Sequence, residues 1–398
     1  MTLEALKFLR SKKGRELLDN YKNVNIKDLP SLVFKLSKKD ISFTSEMVTL
    51  LKLRINALEK FFKASEMYFT TDGLEQASSE KVSEYVASRF KKVIKNGVVT
   101  DLTSGIGGNA VFLAKYFKVR AVDLDKVHLE CVKYNSFLYK TFDNIEFIHG
   151  KAEDNIKDSQ AFIIDPQRIR GAKTKTRSIY NSEPNIVEML PKMLEVTENI
   201  CIKISPAFDY EEVFKLPGDP EIEIISENNN NKGAFLWFGE FKNAKRKATI
   251  LDDKDSVFFS DNIDLQNLNS TDSLKKYLFI PNKAIIKANL AEQVASFYNL
   301  LKISDKNELM TSDEIKKYPH KVFRCFEVLD YDIFSMKNIK NLVKINNIDR
   351  AHIVARHFGV NPEELRKRMK LKEGGEYSLI LTDLADKKYI ILTKNRKC

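Results

Sequence analysis

Three aspartates and a cluster of glycines are the residues of this 398-residue chain best placed to do chemistry. Asp101 ends the run Val98-Val99-Thr100, and Gly105, Gly107 and Gly108 follow close behind it. A carboxylate closing an apolar run and followed by glycines reads as a buried strand, a tight turn and a helix whose N-terminus faces a small ligand. Gly105-Ile106-Gly107-Gly108-Asn109-Ala110 also satisfies the dinucleotide fingerprint, with Asp123 near the spacing of a ribose-binding acid. Two further features point away from a dinucleotide. Asp101 suits a cationic amino-acid group better than a pyrophosphate. Asp165-Pro166-Gln167-Arg168 ends a fourth strand, where a reacting partner would be held. A ligand with an ammonium group, a ribose and a group to transfer is S-adenosylmethionine. Asp101, Ser104, Gly105, Gly107, Asn109, Asp123 and Leu124 are the candidates for binding it.

The elements that must position these residues alternate. Strands are expected at Val98 to Asp101, Val119 to Asp123, Ile145 to His149, Ala161 to Asp165 and Asn199 to Ile204. Helices are expected at Ala110 to Phe117, Lys126 to Tyr139 and Asn185 to Val196. This is the pattern of an α/β, doubly wound, Rossmann-like sheet with ligands at the strand C-termini. The first 70 residues show helical periodicity, and Glu75 to Lys91 continues as helix into the first strand. Glu221 to Ser226 and Ala234 to Phe238, joined by an Asn-rich turn, read as an antiparallel hairpin at the sheet edge. After a polar stretch at Asp252 to Ser273, strand signals at Tyr277 to Ile280 and Val322 to Leu329 flank a helix at Ala291 to Leu301. The tail adds helices at Asp349 to Phe358 and Pro362 to Lys370 and strands at Tyr377 to Leu381 and Tyr389 to Leu392.

Composition narrows the class. The apolar fraction of 43% and charged fraction of 30% fit a globular protein. No apolar run is long enough to cross a bilayer, and residues 1–20 have no signal-peptide core, so a cytoplasmic location is expected. Cys131, Cys201, Cys325 and Cys398 show no metal-binding spacing and are expected to be reduced thiols, with no metal site. The net charge of +11 favours a polyanionic partner, and residues 336–398 hold fifteen Lys/Arg against seven Asp/Glu.

Asp101 through Asn109 resembles the first motif of class I S-adenosylmethionine-dependent methyltransferases, and in particular that of trimethylguanosine synthases and related RNA methyltransferases. The resemblance implies that Ala152 and Glu153, in Gly150-Lys151-Ala152-Glu153-Asp154, lie at the adenine, although Lys151 stands where an acid is common. Asp165-Pro166-Gln167-Arg168, Lys203-Ile204-Ser205-Pro206, Leu236-Trp237-Phe238-Gly239 and the basic tail are similar to a bacterial family in which this core precedes a THUMP-like domain. The resemblance implies four parts: a helical region at 1–70, a class I methyltransferase domain at 71–250, a linker with a small ferredoxin-like α+β module at 251–334, and a basic THUMP-like domain at 335–398. THUMP domains bind RNA in other enzymes, so RNA is the expected partner.

The acceptor side is expected to use Asp165 and Pro166, with the carboxylate orienting an amine or taking its proton. Arg168 stands where amine methyltransferases carry an aromatic residue, and an arginine plane can stack on a base or hold a phosphate. Enzymes that methylate carbon 5 of uridine need a cysteine after the fifth strand. Ile204 occupies that position, so transfer is expected to be direct, without a cysteine nucleophile. Arg168, Arg170, Lys173, Lys175 and Arg177 form an acid-free loop suited to RNA phosphates. Two alternatives are an RNA-binding protein with a non-catalytic cofactor fold and a methyltransferase for a protein or small molecule.

Overall fold

The structure, a computed structural model, describes residues 1–398 apart from 39–40, 169–177, 253–255, 266–267, 304–306, 320, 357 and 385–386, and of Arg168 the backbone alone. The chain forms two compact units: Met1–Glu221 with Lys232–Asn243, and Ile222–Asn231 with Ala244–Cys398.

In the first unit, five parallel strands form the centre: β1 (Val98–Asp101), β2 (Lys118–Asp123), β3 (Ile145–His149), β4 (Ala161–Ile164) and β5 (Ile200–Ile204). Their order is β3-β2-β1-β4-β5, and residues 234–237 run antiparallel beside β5. Every residue of β4 and β5 is buried, so these strands read as nearly continuous apolar runs, interrupted by Lys203 in β5, rather than alternating ones. The chain starts in the middle, winds outward to β3, then returns to lay β4 on the other side of β1. The C-termini of β1 and β4 therefore lie side by side, with the Leu102 amide donating to the Ile163 carbonyl at 2.9 Å. Ligands of doubly wound sheets bind at this reversal of strand order.

The helices position the rest. Leu3–Arg10, Lys12–Asn20, Leu29–Ser37 and Thr44–Ala57 form the N-terminal region, with Thr2 and Ser11 capping the first two. The helix after the glycines is shorter than expected and ends at Leu113. The Tyr116 amide reaches back only three residues, to the Leu113 carbonyl at 2.9 Å, in a tightening turn that delivers the chain to β2. The single helix expected from Glu75 to Lys91 is instead two, Thr71–Gln76 and Glu80–Val93. Ala77 and Ser79 adopt extended backbone between them, at the serine-rich point where side chains compete for backbone hydrogen bonds.

The hairpin Glu221–Glu227 to Asn230–Trp237 turns on Asn228 and Asn229, both in the left-handed region. Its first strand is not an edge strand. In the second unit Arg246–Leu251 runs parallel beside Glu221–Glu227, and Ser256–Ser260 antiparallel beside that. The second unit also holds an eight-stranded sheet in which Phe323–Ile333 pairs with both Tyr277–Pro281 and Lys387–Arg396. Leu379 and Leu381 face one core and Ile380 another, so both faces of this sheet are covered.

Two expectations for the tail are corrected. Residues 352–355 form a strand, parallel to Tyr377–Leu384, because the β-branched pair Ile353 and Val354 suits a half-buried pleat. The tail's unexpected helix is Met336–Ile345, capped by Ser335 and anchored by Ile339 and Leu342. Cys325 and Cys398 are not reduced thiols. They form a disulfide with Cα atoms 6.0 Å apart, while Cys131 and Cys201 are buried and outside any disulfide.

Candidate active site

The site is built at the junction of β1 and β4. Asp101 is 1% exposed, and its Oδ1 accepts the Thr103 amide at 3.2 Å while Oδ2 has no protein partner. Burial, with the negative charges of Asp165 and Asp123 adding to it, pushes the Asp101 carboxyl up to about 7. A buried carboxylate facing two others calls for a cation.

The glycine loop follows. Gly105 and Gly107 both have positive φ, +52° and +95°, and a Cβ on Gly107 would lie 2.8 Å from Val111. The Gly105 amide donates to Asp123 Oδ2 at 2.7 Å, and the Asp125 amide to Asp123 Oδ1 at 2.8 Å. Oδ1 also faces His128 Nδ1 at 3.4 Å, so it is Oδ2 that keeps a further lone pair for a ribose hydroxyl. Leu124 is 61% exposed just past β2, and its carbonyl accepts a hydrogen bond from His149 Nε2 at 3.0 Å. The next loop is tied to the same strand end, since the Gly150 amide donates to the Asp123 carbonyl at 3.1 Å. In it Ala152 is buried and Glu153 exposed.

Segment 70–79 packs against the glycine loop. A Cβ on Gly73 would sit 2.4 Å from Ile106 and 2.6 Å from Thr70 Oγ1, and Gly108 lies against Ala77 and Ser78. Two lysines hold this segment through its carbonyls: Lys60 Nζ donates to Leu74 at 2.7 Å, and Lys203 Nζ reaches Gln76 at 3.4 Å. Along one wall His128 is 3.0 Å from Thr70 Oγ1 through Nε2 and 3.4 Å from Asp123 Oδ1 through Nδ1.

Asp165 follows β4 at its C-terminal end. Its amide donates to Thr103 Oγ1 at 2.7 Å, tying the end of β4 to the loop after β1. Its Oδ2 accepts from Lys203 Nζ at 2.5 Å. Lys203 is 8% exposed on β5, beside Ile204. Arg168 belongs to a two-residue ribbon, Gln167–Arg168 paired with Ser182–Glu183, that closes the base of the basic loop. Arg170, Lys173, Lys175 and Arg177 lie outside the described residues.

Asp101, Ser104, Gly105, Gly107, Asn109, Asp123 and Asp165 thus converge on one strand-end crevice. Ser104 Oγ, Asn109 Oδ1 and Ser78 Oγ are, like Asp101 Oδ2, buried without a protein partner. Buried polar atoms left unpaired are costly, so a set of them at one place fits a polar ligand with amino, carboxyl and hydroxyl groups. Sequence reading missed Ser78, Thr103, His128 and Lys203 as site residues. Only Lys203 carried a signal, as a lone charge inside an apolar strand. No group of metal-ligating side chains occurs among the described residues, and no helix among them is long and apolar enough to cross a membrane.

Comparison with known proteins agrees with this geometry. Residues 96–206 match the family described as RNA cap guanine-N2 methyltransferase, and residues 323–395 match the THUMP domain-like family. The chain is 24% identical over 325 residues to an S-adenosylmethionine-dependent methyltransferase of Mycobacterium tuberculosis, covering 80% of this chain and 85% of that one. It is 30% identical over 82 residues to trimethylguanosine synthase of Schizosaccharomyces pombe, covering 20% of this chain and 34% of that one. A crystal structure from Porphyromonas gingivalis W83, solved as a candidate methyltransferase, superposes with a TM-score of 0.78 at 21% identity over 99% of this chain and 98% of that one, which shows a common fold. With Asp101, the glycine loop and Asp123 inside the first matched segment, the chain is an S-adenosylmethionine-dependent methyltransferase carrying a THUMP-like domain.

Proposed function

We propose that the enzyme methylates a base of RNA by direct transfer, with Asp165 and Pro166 presenting the acceptor. The observation that supports this reading is the juxtaposition of Asp165 with Asp101 across neighbouring strand ends, as an acceptor-holding carboxylate beside a donor site requires.

Asp101 holds the donor's ammonium group, with Ser104, Gly105, Gly107 and Asn109 around its amino-acid part. Asp123 takes a ribose hydroxyl, and exposed Leu124 with the Ala152 backbone and Glu153 borders the adenine. Bound S-adenosylmethionine supplies an electrophilic methyl on a sulfonium centre. Catalysis is then a matter of position: the acceptor nitrogen is held in line at near-attack distance. Lys203 occupies Oδ2 of Asp165, so Oδ1 and the Asp165 carbonyl remain to accept amine hydrogens. Ile204 at the end of β5 offers no nucleophile, which supports transfer without a covalent enzyme adduct. Arg168, Arg170, Lys173, Lys175 and Arg177 bind phosphates flanking the target base, and the THUMP-like domain supplies a second RNA contact.

The test is transfer from tritiated S-adenosylmethionine to total RNA purified from a strain lacking this protein, followed by nucleoside analysis. Label in one modified nucleoside is expected. Label only in protein or in small molecules would overturn the RNA reading.

A further inference from the structure

A cavity of about 510 Å³ opens in the first unit, between the N-terminal helices and the helix Lys126–Leu138. Its size is that of a small-ligand site, and nothing in the proposed transfer uses it. Three arginines from three elements meet there: Arg10 ends the first helix, Arg15 lies in the second and Arg54 in the fourth. All three act electrostatically on the same ring, Tyr68. Arg54 is 8% exposed and held rigidly, its Nε and one Nη each donating to backbone carbonyls, of Met67 and Glu66, at 2.9 Å. Arg10 lies over the Tyr134 ring, and its buried Nε has no partner.

The charges around these arginines leave them available. Glu130 reaches Arg10 only at 3.7 Å and is already paired with Lys133 at 2.6 Å. Asp19 and Glu66 line the cavity but are exposed to solvent. Burial lowers the pKa of Arg10 and of Arg54, so an anion entering the cavity would relieve a desolvation cost already incurred. The aromatic wall is equally specific: Tyr68 and Tyr134 pack edge to face at 5.6 Å, and Phe137 is 56% exposed at the rim.

We infer that this cavity binds one ribonucleotide unit of the RNA substrate, its base on the exposed Phe137 ring at the rim and its phosphate on Arg10 and Arg15. Aromatic faces beside fixed guanidinium groups are the means by which proteins hold unpaired nucleotides. The site is linked to the donor loop by a single side chain. Asn135 accepts the Tyr68 amide at 2.9 Å and donates to the Tyr68 carbonyl at 3.1 Å and the Ile106 carbonyl at 2.9 Å. The inference rests on the RNA reading above, and its test separates the two.

Binding of a fluorescein-labelled RNA decamer and of free guanosine monophosphate is measured for the wild type, Arg15→Gln, Phe137→Ala and Arg10→Gln. Arg15 is exposed, so its loss does not endanger folding; Phe137 stacks on Phe142 at 3.8 Å, and titration with S-adenosylmethionine checks the fold of each variant. RNA binding is expected to weaken about tenfold in each variant with cofactor affinity unchanged. If the monophosphate binds the wild type and loses affinity in the variants while RNA does not bind, the cavity holds a free nucleotide and the RNA reading fails. Equal RNA binding by all four proteins overturns the cavity and spares the RNA reading. If neither probe binds the wild type, the cavity proposal also falls, and methyl transfer to RNA decides the acceptor separately.

Discussion

Asp101 offers the sharpest quantitative test, because its carboxyl is held at about 7 by burial and by the charges of Asp165 and Asp123. The ammonium group of the cofactor needs the ionised form, so a proton competes with binding. With one competing proton, affinity falls about tenfold for each pH unit below the pKa, which corresponds to about 1.4 kcal/mol per unit. Between pH 8 and pH 6 the dissociation constant should rise about fourfold, because protonation of Asp101 costs about tenfold and the cofactor's amine, about half deprotonated at pH 8, regains its proton. The cofactor's own amine titrates near 7.7–8.0 and is about half deprotonated by pH 8, so affinity should peak between about 7 and 8. Isothermal titration in buffers of different ionisation enthalpy reads both the constant and the proton released on binding. His128 titrates nearby: burial pulls its pKa down, but the hydrogen bond and charge of Asp123, with Asp125 and Asp72, outweigh that and leave it raised. Its cationic form pairs with Asp123 rather than Asp101, so His128→Gln should keep the pH dependence that Asp101→Asn abolishes. The ligand-free protein gives an independent check of sign. A carboxyl whose folded pKa lies above its unfolded value binds an extra proton in the folded state, so stability declines as pH rises from about 4 to about 7. Asp101→Asn should therefore be more stable than the wild type at pH 8, by about 1–4 kcal/mol. A dissociation constant flat from pH 6 to pH 8 would refute the reasoning.

Asp165→Ala should retain cofactor affinity and lose methyl transfer, and full turnover would remove Asp165 from the acceptor site. Lys203→Met should leave cofactor affinity within about twofold and lower kcat about a hundredfold, because an unanchored Asp165 misplaces the acceptor; Lys203→Arg should recover part of it, and an unchanged kcat in the Met variant would make the pair purely structural. Gly107→Ala should cost about 1–3 kcal/mol in urea unfolding, since its φ of +95° and the 2.8 Å approach to Val111 both oppose a side chain. Replacing Arg168, Arg170, Lys173, Lys175 and Arg177 together with Ala should weaken RNA binding and flatten its salt dependence, the logarithmic slope falling by at least about 1.

The central sheet was legible because buried parallel strands are short, apolar and set apart by helices. β1 and β3 have the limits expected, and the other central strands shift by one residue at an end. The glycine turn and its flanking acids were legible for a related reason: the chemistry falls where chain direction changes, so it is compressed into a few consecutive residues. What escaped notice was contact across the fold. Segment 70–79 precedes β1 by about twenty residues and has the composition of ordinary helix, yet its close approach at Gly73 and its unpaired Ser78 make it part of the donor crevice. His352 to Ala355 was misread because a short stretch with Ile, Val and Ala satisfies either period until a neighbouring strand selects one. Cys325 and Cys398 stand 73 residues apart, and only the strand pairing that opposes Cys325 to Arg396 brings them together. Lys203 lies between these cases. A lysine inside Ile202-Lys203-Ile204 announces a buried partner without naming it, and the partner, Asp165, ends the adjacent strand. Burial of one charge thus places the other, and that pairing turns Asp165 from a loose strand-end acid into a fixed one, whose Oδ1 has no hydrogen-bond partner among the described residues. A fixed acid with one free oxygen can orient an amine, whereas an untethered carboxylate would have to lose its freedom at each turnover.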